Sequence, residues 1–121
     1  MKDKRPVNLA LGTIHFPLPA IASIFHRISG FALFGLLPLA LWAWQQSLAS
    51  AEKFEALRAG LPFKLGAILV LSCVIYHLVA GIKHLLMDMG IGETLEAGRQ
   101  LAFAVLVVSA ALVVAMVVWV W

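Results

Sequence analysis

An all-α membrane protein with three transmembrane helices is the fold class this sequence predicts, and three observations predict it. Hydrophobic residues make up 63% of the 121 positions without counting glycine, and the mean hydropathy is +0.99. A soluble domain is about 45–50% apolar with glycine included. Three stretches are long enough to cross a hydrocarbon core, which takes roughly 20 apolar residues at about 1.5 Å of rise each. The polar residues inside those stretches are few and gather toward one end of them. The length suits one domain over residues 1–121 and is too short for two.

The same figures exclude other classes. The net charge is only +3, and the basic residues are scattered with no aromatic residues between them, so nucleic acid is not a partner. Lipid is the expected surrounding. Cys73 is the one cysteine and cannot form an internal disulfide. Set between Ser72 and Val74, it reads as a small buried filler.

In chain order, residues 1–20 are polar and then broken by Pro6, Pro17 and Pro19, and are expected to lie along the membrane surface. The first span, Ile21 to Trp44, is too long for a signal peptide and has no small-residue cleavage site after it, so it stays as an anchor. Pro38 inside it removes a helical hydrogen bond, which predicts a kink unless neighbouring helices re-satisfy the freed carbonyl. The following loop, "SAEKFEALRAG", predicts a short amphipathic helix. Ser50 is placed to cap it, Phe54 and Leu57 share a face, and Gly60 stops it. The second span runs from Leu65 to Met87. A glycine-rich linker, "DMGIGETLEAGRQ", leads to the third, Leu101 to Trp121, whose one polar residue is Ser109.

Lysine and arginine placement sets the expected orientation. Lys2, Lys4, Arg5, Arg27, Lys83 and Arg99 fall on one side, and Lys53, Arg58 and Lys64 on the other. The N-terminus is therefore expected in the cytoplasm. Trp42, Trp44, Trp119 and Trp121 then gather at the far interface, as an aromatic belt does.

The polar residues within the spans raise the functional question. His77, Gly81, His84 and Asp88 stand at i, i+4, i+7 and i+11, on one helical face. A charged group at mid-bilayer costs about 2.5–3.5 kcal/mol, so such groups are rarely left unpartnered. His77 is expected roughly 15 Å from the cytoplasmic end and His84 about 6 Å, while Lys83 and Asp88 are near enough to the boundary to reach head groups. In the first span, Ser23, Arg27 and Gly30 share a face, with His26 beside Arg27. The two helices thus predict one polar site at the cytoplasmic end.

Two uses of His77 are open on the residues alone. It is a haem-iron ligand, with Gly81 letting a flat macrocycle approach and His26, Arg27 or His84 meeting the propionates. Alternatively it hydrogen-bonds a neighbouring helix. His77 and His84 project from one side of one helix, about 10.5 Å apart, so they cannot flank a single iron. A His26–His84 pair remains open; otherwise His77 needs its second ligand from another polypeptide. Ser23 and Arg27 either address a small polar head group such as a quinone carbonyl, or serve the backbone and the lipid phosphates. Tyr76 reads as a packing aromatic.

The stretches "RPVNLALGTIHFPLPAIASIFHRISG" and "YHLVAGIKHLLMD" together resemble the cytochrome b556 family of succinate dehydrogenase, the larger membrane anchors of respiratory complex II. The family pattern is a serine, a His-Arg pair and a glycine in the first helix, with His-x-x-x-Gly-Ile-Arg-His and then an aspartate in the second. The likeness covers nearly the whole chain. It departs at Lys83, where arginine is common, and at Phe25, where leucine is usual.

The resemblance implies haem b with His77 as an axial ligand, the second ligand coming from a small membrane-anchor subunit. It implies ubiquinone at Ser23 and Arg27, and propionate contacts from His26, Arg27 and His84. An iron–sulfur subunit and a flavoprotein subunit are the implied partners on the cytoplasmic face of the bacterial inner membrane. This chain would oxidise no succinate itself. The rivals are the anchor of a fumarate reductase, a haem-free structural anchor, and a small transporter subunit. The last would need polar groups along a path to both faces, but the outer halves of these spans are apolar.

Overall fold

The computed structural model describes residues 10–121, so the expected surface course of residues 1–9, with Lys2, Lys4 and Arg5, lies outside the described residues. A short turn at Leu11–Thr13 comes first. Helix α1 then runs from Leu18 to Ser47. Pro17 precedes it in an extended conformation and Pro19 occupies the first turn, where a missing N–H leaves no helical bond unmade. Pro38 lies inside α1, and helix continues on both sides of it.

Helix α2, Ala51–Ala59, forms where the loop sequence predicts it. The Ser50 hydroxyl accepts the Lys53 N–H at 3.1 Å. Gly60 ends the helix in an extended conformation, with φ −74° and ψ 126°, and the same residue starts α3. No left-handed turn is used there. Helix α3, Leu61–Asp88, carries Pro62 in its first turn and leads into a turn in which Gly90 and Gly92 take φ of +83° and +84°.

Helix α4, Leu95–Val120, begins six residues before the expected start of the third span. The reason is a cap: the Thr94 hydroxyl accepts the Ala97 N–H at 3.2 Å. Hydropathy marks where apolar residues begin. A cap marks where the helix begins.

Three helices, α1, α3 and α4, are long and apolar enough to cross a membrane. Helix α3 packs along both of the others. The apolar residues buried among those described are all small or medium: Ala22, Ala80, Ala102 and Val105. The large ones point outward, with Phe31 and Trp119 both 82% exposed. A water-soluble bundle hides its large apolar side chains. In lipid that drive is absent, and helices associate by close van der Waals approach through small residues. The contact stripe of α4 follows that rule, with Gly98, Ala102, Val105 and Ser109 buried in steps of four, three and four.

Candidate functional site

At one end of the bundle, α1 and α3 bring three histidine rings together. The His26 and His77 rings stack, with centroids 4.2 Å apart and planes 12° from parallel. The His84 ring lies 5.0 Å from His26, tilted by 47°. His77 is eleven residues from the end of α3, about 16 Å, and His84 is four, about 6 Å. His26 lies eight residues into α1, about 12 Å, because α1 starts at Leu18. It lies between the other two and touches both.

Glycine makes this approach possible. A Cβ on Gly30 would stand 2.8 Å from Cε1 of His77, closer than real Cβ contacts come. A Cβ on Gly81 would stand 3.6 Å from Nε2 of His26. The close approach needs glycine at Gly30, whereas at Gly81 a Cβ would make an ordinary contact with His26.

The Nδ1 atom of His77 lies 3.1 Å from the His26 carbonyl oxygen and 3.2 Å from the Ser29 hydroxyl, and that hydroxyl donates to the same carbonyl at 2.9 Å. Ser29 is only 7% exposed. The spacing of polar residues along α1 does not single it out. The signal was its place seven residues after Ala22, the other buried residue of α1, which puts both on the face turned to the bundle.

The remaining predicted residues are distributed around this cluster. Ser23 is half-buried and Arg27 exposed, while Asp88 is exposed at the end of α3. Arg27, Lys83 and Asp88 are all within electrostatic reach of His84. Lys83 departs from its expected place among the head groups, since it is 4% exposed. On the helical wheel it falls beside buried Ala80, away from the histidine face, so the bundle covers it. Tyr76 is an aromatic contact, edge-on to Phe25 at 6.2 Å, and more. Its hydroxyl donates to the Ala22 carbonyl at 2.9 Å.

Neither histidine pair within the chain has the geometry of two ligands on one iron. Such ligands meet the metal from opposite sides through nitrogens about 2 Å from it, which separates the ring centroids by roughly 6 Å with a macrocycle between them. His26 and His77 lie face to face, and His26 and His84 are too close. Among the described residues no group of three or more His, Cys, Asp or Glu side chains forms a metal site. What the cluster offers is single imidazoles on a closely packed wall.

Residues 1–116 match the family model for the succinate dehydrogenase/fumarate reductase transmembrane subunit. The chain is 46% identical over 125 aligned positions to the succinate dehydrogenase cytochrome b556 subunit of Coxiella burnetii, with all of both chains covered. It is 31% identical over 116 positions to the protein of that name from Paracoccus denitrificans, covering 93% of this chain and 89% of the relative. A succinate dehydrogenase hydrophobic membrane anchor subunit from Halobacterium salinarum is also 31% identical, over 79% of this chain and 75% of the relative. The chain belongs to the succinate dehydrogenase/fumarate reductase transmembrane subunit family, the non-catalytic membrane part of an oxidoreductase complex.

Proposed function

We propose that this chain builds half of a haem b site and half of a ubiquinone site in a succinate dehydrogenase complex. His77 would hold the haem iron from this chain, with a second ligand supplied by a small membrane-anchor subunit. The observation that carries this reading is the fit of half-buried His77 against Gly30, where an imidazole occupies space that any Cβ would fill, about 16 Å from the end of α3. The donor set also suits the group, because one neutral imidazole per subunit is what a two-subunit haem site needs. When bound, haem b would store or relay single electrons.

The other residues take roles by position. His26 and His84 lie shallower than His77 and, with Arg27, are placed to meet propionates by charge-assisted hydrogen bonds. Ser23 and Arg27, one turn apart near the start of α1, are the donors to a quinone carbonyl. With the N-terminus in the cytoplasm of a bacterial inner-membrane protein, this end faces the iron–sulfur and flavoprotein subunits. Electrons from succinate then reach ubiquinone with the shortest passage through the membrane. The names of the relatives favour this direction over fumarate reduction.

The test is a reduced-minus-oxidised spectrum of the complex assembled with its partners. His77→Ala is expected to abolish the low-spin b-type band, while His84→Leu keeps it. An unchanged band in His77→Ala would reject the ligand assignment. For the quinone site, Arg27→Ala is expected to slow ubiquinone reduction about tenfold or more, as loss of a charged hydrogen bond worth about 1.5–3 kcal/mol implies. Ser23→Ala should slow it less, at about 0.5–1.5 kcal/mol. Succinate oxidation by a soluble artificial acceptor survives in both. Wild-type ubiquinone kinetics in both variants would place the pocket elsewhere.

A further inference from the structure

A histidine binds iron through an unprotonated nitrogen, so which ring nitrogen carries the proton decides whether His77 is ready to ligate. The neighbours of Nδ1 determine this. One is the His26 carbonyl oxygen at 3.1 Å, which can only accept. An unprotonated Nδ1 at that distance would set lone pair against lone pair, so Nδ1 carries the hydrogen. The second neighbour is the Ser29 hydroxyl at 3.2 Å, whose own hydrogen goes to the same carbonyl at 2.9 Å. With that hydrogen committed, the hydroxyl oxygen is left to accept from Nδ1. Both contacts therefore require the same tautomer. Nε2 keeps its lone pair.

We propose that Ser29 is the positioning residue of the iron ligand: together with the His26 carbonyl it receives the Nδ1–H of His77, fixes the ring's orientation and presents Nε2 to the metal. This rests on the assignment of His77 as the haem ligand and deepens it. Ser29 touches neither iron nor quinone in this role. It acts through the imidazole, because a ligating histidine whose far N–H is hydrogen-bonded is a more basic ligand and is held in one rotation. Burial of Ser29 keeps water from replacing it. Gly30, the next residue, meets the same Nδ1–Cε1 edge of the ring.

The test uses Ser29→Ala and Ser29→Thr in the whole complex, with His77→Ala as reference, and reads haem content and haem midpoint potential rather than turnover. Removing the hydroxyl makes the ligand less electron-donating and weakens its preference for ferric over ferrous iron. With the carbonyl still in place, the expected loss is at the low end of the 10–100-fold range for such partners, about tenfold. To the extent that the loss falls on ferric iron, it raises the midpoint potential, by at most about 59 mV for a one-electron couple. Ser29→Thr keeps a hydroxyl and is expected to stay near the wild-type potential. Haem loss in Ser29→Ala with the complex still assembled, restored in Ser29→Thr, would equally support the proposal. A wild-type potential and haem content in Ser29→Ala, with the band lost in His77→Ala, would overturn the role of Ser29 alone. A band unchanged in His77→Ala would overturn the ligand assignment beneath it.

Discussion

The two ends of the α1–α3 pair are built on opposite plans. At the histidine end the helices close until backbone meets imidazole, with Gly30 against His77. At the tryptophan end the same helices part around an apolar cavity of about 640 Å3, lined by residues that include Leu36, Trp42, Phe54, Phe63, Gly66 and Leu71. Helix α2 lies over this opening. Lys64 braces the far end of α4 by standing 5.3 Å from the centroid of the Trp121 ring. Polar side chains that must be oriented need a wall that cannot give, and small residues supply it. Apolar side chains in lipid need no orientation, so looseness at the other end costs little.

Glycine substitutions break this comparison most sharply. Gly30→Ala forces the His77 ring off its two hydrogen-bond partners or pushes the helices apart, an overpacking cost of about 1–3 kcal/mol. We expect lowered stability in detergent and a lost or altered haem band. Gly66→Ala places its methyl where no atom lies within 4 Å, in the wall of the cavity. It is expected to be neutral or to stabilise by up to about 1 kcal/mol through helix propensity. Unfolding of the two variants side by side measures the contrast. Equal losses would show that the ends are packed alike.

The sequence made some parts of this contrast legible and hid others. The three apolar helices and α2 with its Ser50 cap were readable because hydropathy and capping are properties of one segment at a time. His26, His77 and His84 stood out because imidazoles in apolar helices are conspicuous. What one helix at a time cannot reveal is which side a neighbour covers. Lys83 looked like a boundary lysine, yet it faces the packed side of α3. Ser29 looked like one more small residue, yet α3 places His77 Nδ1 beside it. Ser109 stood out only as the one polar residue of a span that could face lipid or pack against its neighbours. Its place on the Gly98–Ala102–Val105 stripe turns it inward, 3% exposed, with its hydroxyl making no hydrogen bond among the described residues.

A smaller effect separates the ends without touching the site. Ser50→Ala removes the acceptor of the Lys53 N–H and is expected to weaken α2 by about 1 kcal/mol. Faster amide hydrogen exchange confined to residues 51–59 is the expected sign, with the haem spectrum unchanged. A spectral change would mean that α2 governs the histidine end across the length of the bundle.

The smallest expected effect lies within the histidine end and distinguishes its packing from its chemistry. Tyr76 and Ser29 both bridge α1 and α3 through a hydroxyl, but they end on different groups. The Tyr76 hydroxyl donates to the Ala22 carbonyl, a backbone acceptor already within the ladder of α1. Losing that bond leaves no buried donor stranded and no unpaired acceptor, so Tyr76→Phe is expected to cost only about 0.6 kcal/mol, the average for hydrogen bonds between membrane helices. The aromatic ring remains, and with it the edge-on contact to Phe25, itself worth about 0.5–1.5 kcal/mol. Tyr76→Ala forfeits both and should destabilise more than Tyr76→Phe by at least that amount. Neither the midpoint potential nor ubiquinone kinetics should move in Tyr76→Phe, because its hydroxyl reaches no imidazole nitrogen among its hydrogen bonds. If Tyr76→Phe shifts the potential as far as Ser29→Ala does, the two hydroxyls act alike through helix packing, and the distinction between wall and ligand support at this end fails.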